Sequence, residues 1–324
     1  MRPLYPKAPP FSAIPFSGLF DGLESQMGAY LFLSVVFSCN RSTLKSAARQ
    51  KESHVNPYSY TINLRQRLNR QLFLLLLIFL AQTASAANLS REQRISEGLE
   101  AMISEGNPVW LEAESIRFLG IHRQTTAAKR MGGVILLHDN STHADWHEVI
   151  NPLRRYLTKR GWDTLSIQIP ITDDPSNPTT VRALLASSLP RIQAAVDFHA
   201  DQQVDALALI GHGMGARMAM NFISQPANKI GATVVIGASM SPDDDQDPVL
   251  LAIKERDIPI LDLYGSRDHA DVIDSAPLRR AIAVRNGRTG YRLEEVAGAD
   301  HFFSGIQEEL SNRVAAWLRQ ALGE

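Results

Sequence analysis

The sequence predicts an α/β protein with a mostly parallel central sheet and helices on both faces. Three observations carry this. Strand and helix patterns alternate from Val109 to the C-terminus. Two of the strands are apolar throughout, as strands covered on both faces are. One of them runs straight into Gly211-His212-Gly213-Met214-Gly215 and a helix.

The elements follow in order. Val109–Glu112 and Ile116–His122 read as a lead-in hairpin, and Gly133–His138 as a buried strand. Trp146–Lys159 has a helical pattern, with Gly161 just past its end. Asp163–Pro170 is a strand, and Val181–Gln203 a long amphipathic helix. Ala206–Ile210 is the second wholly apolar strand, followed across the glycine turn by a helix over Ala216–Ser224. Thr233–Ile236, Pro259–Tyr264 and Tyr291–Val296 complete the strands, and Gly305–Leu322 closes the chain as a helix. The Pro- and Asp-rich stretches Thr172–Thr180 and Ser241–Pro248 read as surface loops. There is no internal repeat, and one domain over residues 87–324 accounts for all of it.

The first 86 residues are of another kind. Arg65, Arg67 and Arg70 precede an apolar run from Leu72 to Ala81, and small residues follow at Ala84 and Ala86. Those are the three parts of a secretory signal, expected over 64–86 with cleavage after Ala86. The apolar run is too short for a helix to cross a bilayer, which takes about 20 residues. Residues 1–63 have no clear periodicity, and we expect a non-native or disordered leader there, with translation starting near Leu64. Within it the apolar patch Tyr30–Phe37 lacks a basic flank, and Val36–Cys39 is a poor lipoprotein box.

The 324 residues are 44% hydrophobic and 21% charged, ordinary globular usage that excludes wholesale disorder. Removing residues 1–86 takes away nine basic and three acidic residues, leaving 24 against 31 and a net charge of −7. No nucleic-acid partner is expected from such a chain, nor a stable membrane span after signal cleavage. The only cysteine, Cys39, leaves with the leader, which suits an oxidising periplasm.

The chemistry concentrates at strand ends. A strand entering a Gly-x-x-x-Gly turn before a helix is a nucleophile-elbow pattern, whose glycines make room for a strained central residue. Here the central residue is Gly213, between His212 and Met214. Downstream, Leu263–Asp268 ends a strand with an acid, and Gly298–Phe303 follows the last strand with His301. The order elbow, acid, histidine is that of hydrolases using this elbow.

On these residues the chain resembles the α/β-hydrolase superfamily over about 108–322. The segment His138–Trp146 and the unusual elbow are similar to an uncharacterised family of exported proteobacterial proteins. The resemblance implies that Asp268 orients His301 as a general base. It also implies that His138-Asp139 lies in the oxyanion loop. Two departures stand out: Gly213 has no side chain to attack with, and Asp139 puts a carboxylate where a developing anion needs stabilising.

Three functional readings follow. The first is a pseudohydrolase that binds a small molecule or an envelope protein without turnover. The second is a weak hydrolase or lyase in which the Asp268–His301 dyad works without serine, with Ser141 as a displaced candidate nucleophile. The third is a metal site of His138, His212 and His301, or of His143 and His147 on one helix face, with Asp139 and Asp145 adding oxygens. No cofactor is called for. Phe302 and Phe303 are expected to pack the core or a pocket floor, and Trp146 and Trp162 to face the core. Asp243–Asp245 and Asp247 are expected in a solvated loop.

Overall fold

Strands with alternating apolar residues on both faces need cover on both faces, and the chain supplies it. The computed structural model describes residues 83–323 except Ala227, with side chains from Leu89 onward. The expected leader, and all of the expected signal segment but residues 83–86, lie outside the described residues. The elements are α1 (Thr83–Met102), β1 (Asn107–Ala113), β2 (Ile116–Arg123), β3 (Gly132–Leu137), α2 (Ile150–Thr158) and β4 (Trp162–Ile167). Next come α3 (Pro178–Asp201), β5 (Leu207–His212), α4 (Met214–Ser224), β6 (Ile230–Ile236) and α5 (Pro248–Glu255). β7 (Ile260–Arg267), α6 (Ala270–Arg285), β8 (Tyr291–Asp300) and α7 (Gln307–Leu322) complete the chain. Among the described residues no helix is long and apolar enough to cross a membrane.

Among the described residues eight strands form one sheet in the order β1-β2-β4-β3-β5-β6-β7-β8. β3 through β8 run parallel to one another, and β1 and β2 add an antiparallel hairpin, with β2 antiparallel to β4. This is the mostly parallel, doubly covered sheet of the α/β-hydrolase fold. Period-2 alternation divides each strand between two cores. Ile135, Leu137 and Leu209 join the core under α3, α4 and α5. Val134, Leu136 and Ile210 join the core under α2 and α7, with Trp162 and Phe303.

After β3 the chain adds β4 on one side, then crosses to add β5 on the other. That reversal opens a crevice at the carboxyl ends of β3 and β5, where ligands bind in sheets of this kind. Leu137 is in register with Gly211. Residues two positions beyond each, Asp139 and Gly213, therefore leave the sheet side by side.

Several sequence expectations shift. The helix expected from Trp146 begins only at Ile150. Asp145 is drawn to Arg154 at 2.5 Å and accepts from Asn151 Nδ2, so 143–149 fold into turns before the helix. His143 and His147 thus share no helix face. Trp162 is buried as expected, whereas Trp146 is half-buried between the rings of His143, His147 and Phe302. Asp247 is no solvated loop residue. It is fully buried, caps α5 through Val249 and Leu250, and pairs with Arg217. Helices α1, α5 and α6 escaped the sequence reading.

Candidate functional site

The site is built from the ends of β3, β5, β7 and β8. Strand β5 ends at His212, and α4 starts at Met214, so one residue makes the whole turn. Gly213 does so at φ +55°, ψ −116°, in the left-handed half of backbone space that L side chains rarely occupy. Gly215 permits the next close approach: a Cβ there would lie 2.5 Å from Leu137 O and closer still to His138 O. The elbow and the loop after β3 are therefore packed backbone on backbone.

Asp139 fills the space above Gly213. Its Oδ1 accepts the Met214 N–H at 2.7 Å, and a Cβ on residue 213 would come 2.5 Å from its Cγ and nearer still to Oδ1. Its Oδ2 accepts from the exposed Ser141 hydroxyl at 3.2 Å. The neighbouring Asn140 fixes the loop through two bonds to the Thr172 backbone, 2.8 and 3.0 Å. Burial raises the Asp139 pKa, but the His212 and His301 rings and the Met214 and Asn140 amides outweigh it. The net shift is downward, and the carboxylate is ionised at neutral pH.

The acid and the histidine meet as expected. Asp268 Oδ1 lies 2.6 Å from His301 Nδ1 and also accepts the His269 N–H, while Oδ2 accepts the Gly265 N–H. Both side chains are buried. Burial of the His301 ring lowers its pKa, but the Asp268 hydrogen bond and charge, with help from Asp139, carry it above the ordinary value. Asp268 is shifted down by the same partnership, against its own burial.

His212 braces this pair from beneath. It is fully buried and its Nε2 donates to His301 O at 2.9 Å, which fixes the Nε2–H tautomer and leaves Nδ1 without a partner. The two rings lie tilted against each other with centroids 4.6 Å apart, and Phe302 sits edge-on to both. Phe303 is fully buried in the core under α2 and α7. Burial holds the His212 pKa down to about 4.

His138 serves the loop rather than a ligand. Its Nε2 accepts the Ile169 N–H at 3.1 Å, and its Nδ1 donates to Asp139 O at 2.7 Å. Burial pushes it down to about 3, so it is neutral. Both nitrogens being committed, His138 cannot join His212 and His301 as a ligand set. Among the described residues no group of three or more His, Cys, Asp or Glu is arranged to hold a metal ion. Sequence reasoning brought Asp139, Gly213, Asp268 and His301 to one sheet edge. It missed that the Asp139 side chain turns into the elbow, and it missed the bracing by His212 and Asn140.

Comparison with known proteins bears on the fold and the family. A family model described as Protein of unknown function (DUF3530) matches residues 29–190 and 186–320. No curated protein matches the sequence. Among solved structures, Est1E from Butyrivibrio proteoclasticus is similar with a TM-score of 0.53 at 13% identity, covering 67% of this chain and 99% of that one. The Pyrococcus furiosus esterase Pf2001 gives 0.53 at 17% identity, covering 68% and 94%. XC6422 from Xanthomonas campestris, described as an α/β serine hydrolase without a lid, gives 0.52 at 14% identity, covering 68% and 97%. At these identities the likeness is one of fold.

Proposed function

The chain belongs to the DUF3530 family, and from the site it carries we propose a hydrolase-fold protein that binds a ligand or partner without acyl-enzyme turnover. One observation carries the reading: the Asp139 carboxylate takes the Met214 N–H and fills the volume a residue-213 side chain would need. That N–H is the donor an oxyanion would use, since it belongs to the residue after the nucleophile position. An internal anion already holds it, so negative charge developing there meets repulsion where the fold ordinarily supplies stabilisation. Gly213 adds no nucleophile. The basic, apolar and small-residue pattern of 64–86 supports export, and we place the protein's work in the periplasm.

The test is turnover of short aryl esters and thioesters by the protein beside His301→Ala. The expected result is a rate no higher than that of the variant. Turnover that disappears in His301→Ala would overturn the binding reading. It would support a second one, motivated by the assembled 2.6 Å Asp268–His301 contact. In that reading the dyad works alone as a general base, a contribution of about 10²–10⁴-fold.

A further inference from the structure

A small cavity lies one helical turn along α4 from the elbow. It measures about 140 Å³, and its walls include Pro178, Val181 and Arg182 of α3, Arg217 of α4, and Ser241 and Asp244 after β6. At roughly 30 Å³ per water it holds the equivalent of four or five waters. Arg217 stands in the first turn of α4, its backbone N–H donating to Gly213 O at 3.3 Å.

The two arginines are incompletely paired. Arg217 Nη2 donates to Asp247 Oδ2 at 2.9 Å, but its Nε is buried and has no hydrogen-bond partner among the described residues. Asp247 can give no more: its Oδ1 accepts the Val249 and Leu250 amides, and its Oδ2 accepts the Ser241 amide as well as Arg217. A guanidinium has five donors: the sealed Nε–H cannot meet a ligand, while Nη1, neither hydrogen-bonded nor buried, is accessible to one. Arg182, facing the same cavity, is 72% exposed and reaches Asp244 only at 4.0 Å, a loose surface pair. Helices α3 and α5 both begin here. Their first amides are taken by Asn177 and Asp247, but their N-terminal partial charge remains.

We propose that this cavity binds the compact anionic end of a small ligand, a carboxylate or phosphate group, between Arg182 and Arg217. Guanidinium groups match the oxygens of either group in two-point hydrogen bonds. The cavity volume limits the head to a few heavy atoms, and Val181 and Pro178 give the stem an apolar wall. The inference deepens the ligand-binding reading and rests on it, since it names the chemistry of the ligand.

Calorimetric titration at constant ionic strength with acetate, succinate and inorganic phosphate, and with neutral succinamide, tests it. One equivalent of at least one anion should bind saturably, and succinamide should not; acetate or succinate against phosphate tells which head is preferred. Arg182→Ala, on an exposed side chain, should weaken binding by about threefold to tenfold. Arg217→Lys keeps the charge but loses the planar fork, and should weaken it by at least about tenfold, or about 1.4 kcal/mol. No saturable binding, equal binding of succinamide, or affinity unchanged in Arg182→Ala would each overturn the proposal. Ester turnover is read on the same preparation. Turnover would sink the non-catalytic reading while leaving the anion result standing, and loss of anion binding would do the reverse.

Discussion

Gly213→Ser restores a hydroxyl at the elbow, yet on its own it should yield neither activity nor a comfortable fold. A Cβ on residue 213 would lie 2.5 Å from Asp139 Cγ, and carbon pairs rest at about 3.5–4.0 Å, so the carboxylate must leave. Its departure forfeits the 2.7 Å bond from Met214 N–H, a charged hydrogen bond of about 1.5–3 kcal/mol. The serine must also adopt φ near +55°, which adds about 1–3 kcal/mol of backbone strain. Together these are roughly 3–6 kcal/mol, and at about 2–4 °C per kcal/mol they lower Tm by on the order of 10 °C or more. In the single variant the displaced carboxylate stays beside the elbow and opposes a developing oxyanion; Asp139→Gly with Gly213→Ser removes both the overlap and that charge. Oxyanion stabilisation contributes about 10²–10³-fold, so the double variant should hydrolyse p-nitrophenyl acetate at least about 100-fold faster than Gly213→Ser. It should also lose that rate when His301 is changed to Ala. Equal rates in single and double variants, with equal Tm, would refute the idea that Asp139 obstructs the elbow.

Four further outcomes follow from buried contacts of the site and the core. Asp139→Asn keeps the shape but removes a charge that helps hold His301 up, so the His301 pKa should fall in an NMR titration; an unchanged value would show the two groups do not communicate. His138, His199 and His212 are held near 3, 4 and 4 by burial, well below the 6.5 of an unfolded chain. Below pH 6.5 the unfolded state therefore binds protons the folded state refuses. The stability present above 6.5 should drain away as pH falls toward 4, by several kcal/mol in all, and His138→Gln should flatten that slope in calorimetry. The His301 pair has the opposite sign at the other end, with stability present below 6.5 and lost as pH rises through its raised value. Finally, Arg279 and Asp262 are both fully buried and joined at 2.7 Å, with Tyr291 donating to the same carboxylate. Arg279→Met should cost about 3–5 kcal/mol by leaving Asp262 unpaired, and Tm would measure it.

Much of the frame was legible because it is written in apolar runs. Gly133–His138 and Ala206–Ile210 have no partner but a covered sheet, and the Gly211–Gly215 turn has few other uses. The positions of Asp268 and His301 followed from strand ends alone. Other features depend on tertiary partners. The apolar stripe of helix α6 (Val272, Ala276, Ile282) is interrupted by Ser275 and Arg279: Arg279 pairs with Asp262 across the core and donates to the Ser275 hydroxyl. The turns at 143–149 exist because Asp145 answers Arg154, a pairing nine residues apart. The turn of the Asp139 side chain into the elbow requires β3 and β5 to be neighbours in a given register. Nothing local to either segment states that.

The shared register of β3 and β5 also restricts how such a chain can change. Residues 139 and 213 compete for one volume, so a side chain at one address excludes this rotamer at the other. A hydroxyl at the elbow and a carboxylate in the loop are therefore alternatives, and exchanging one for the other takes two substitutions in order: residue 139 must give up its carboxylate before a side chain at 213 fits without overlap.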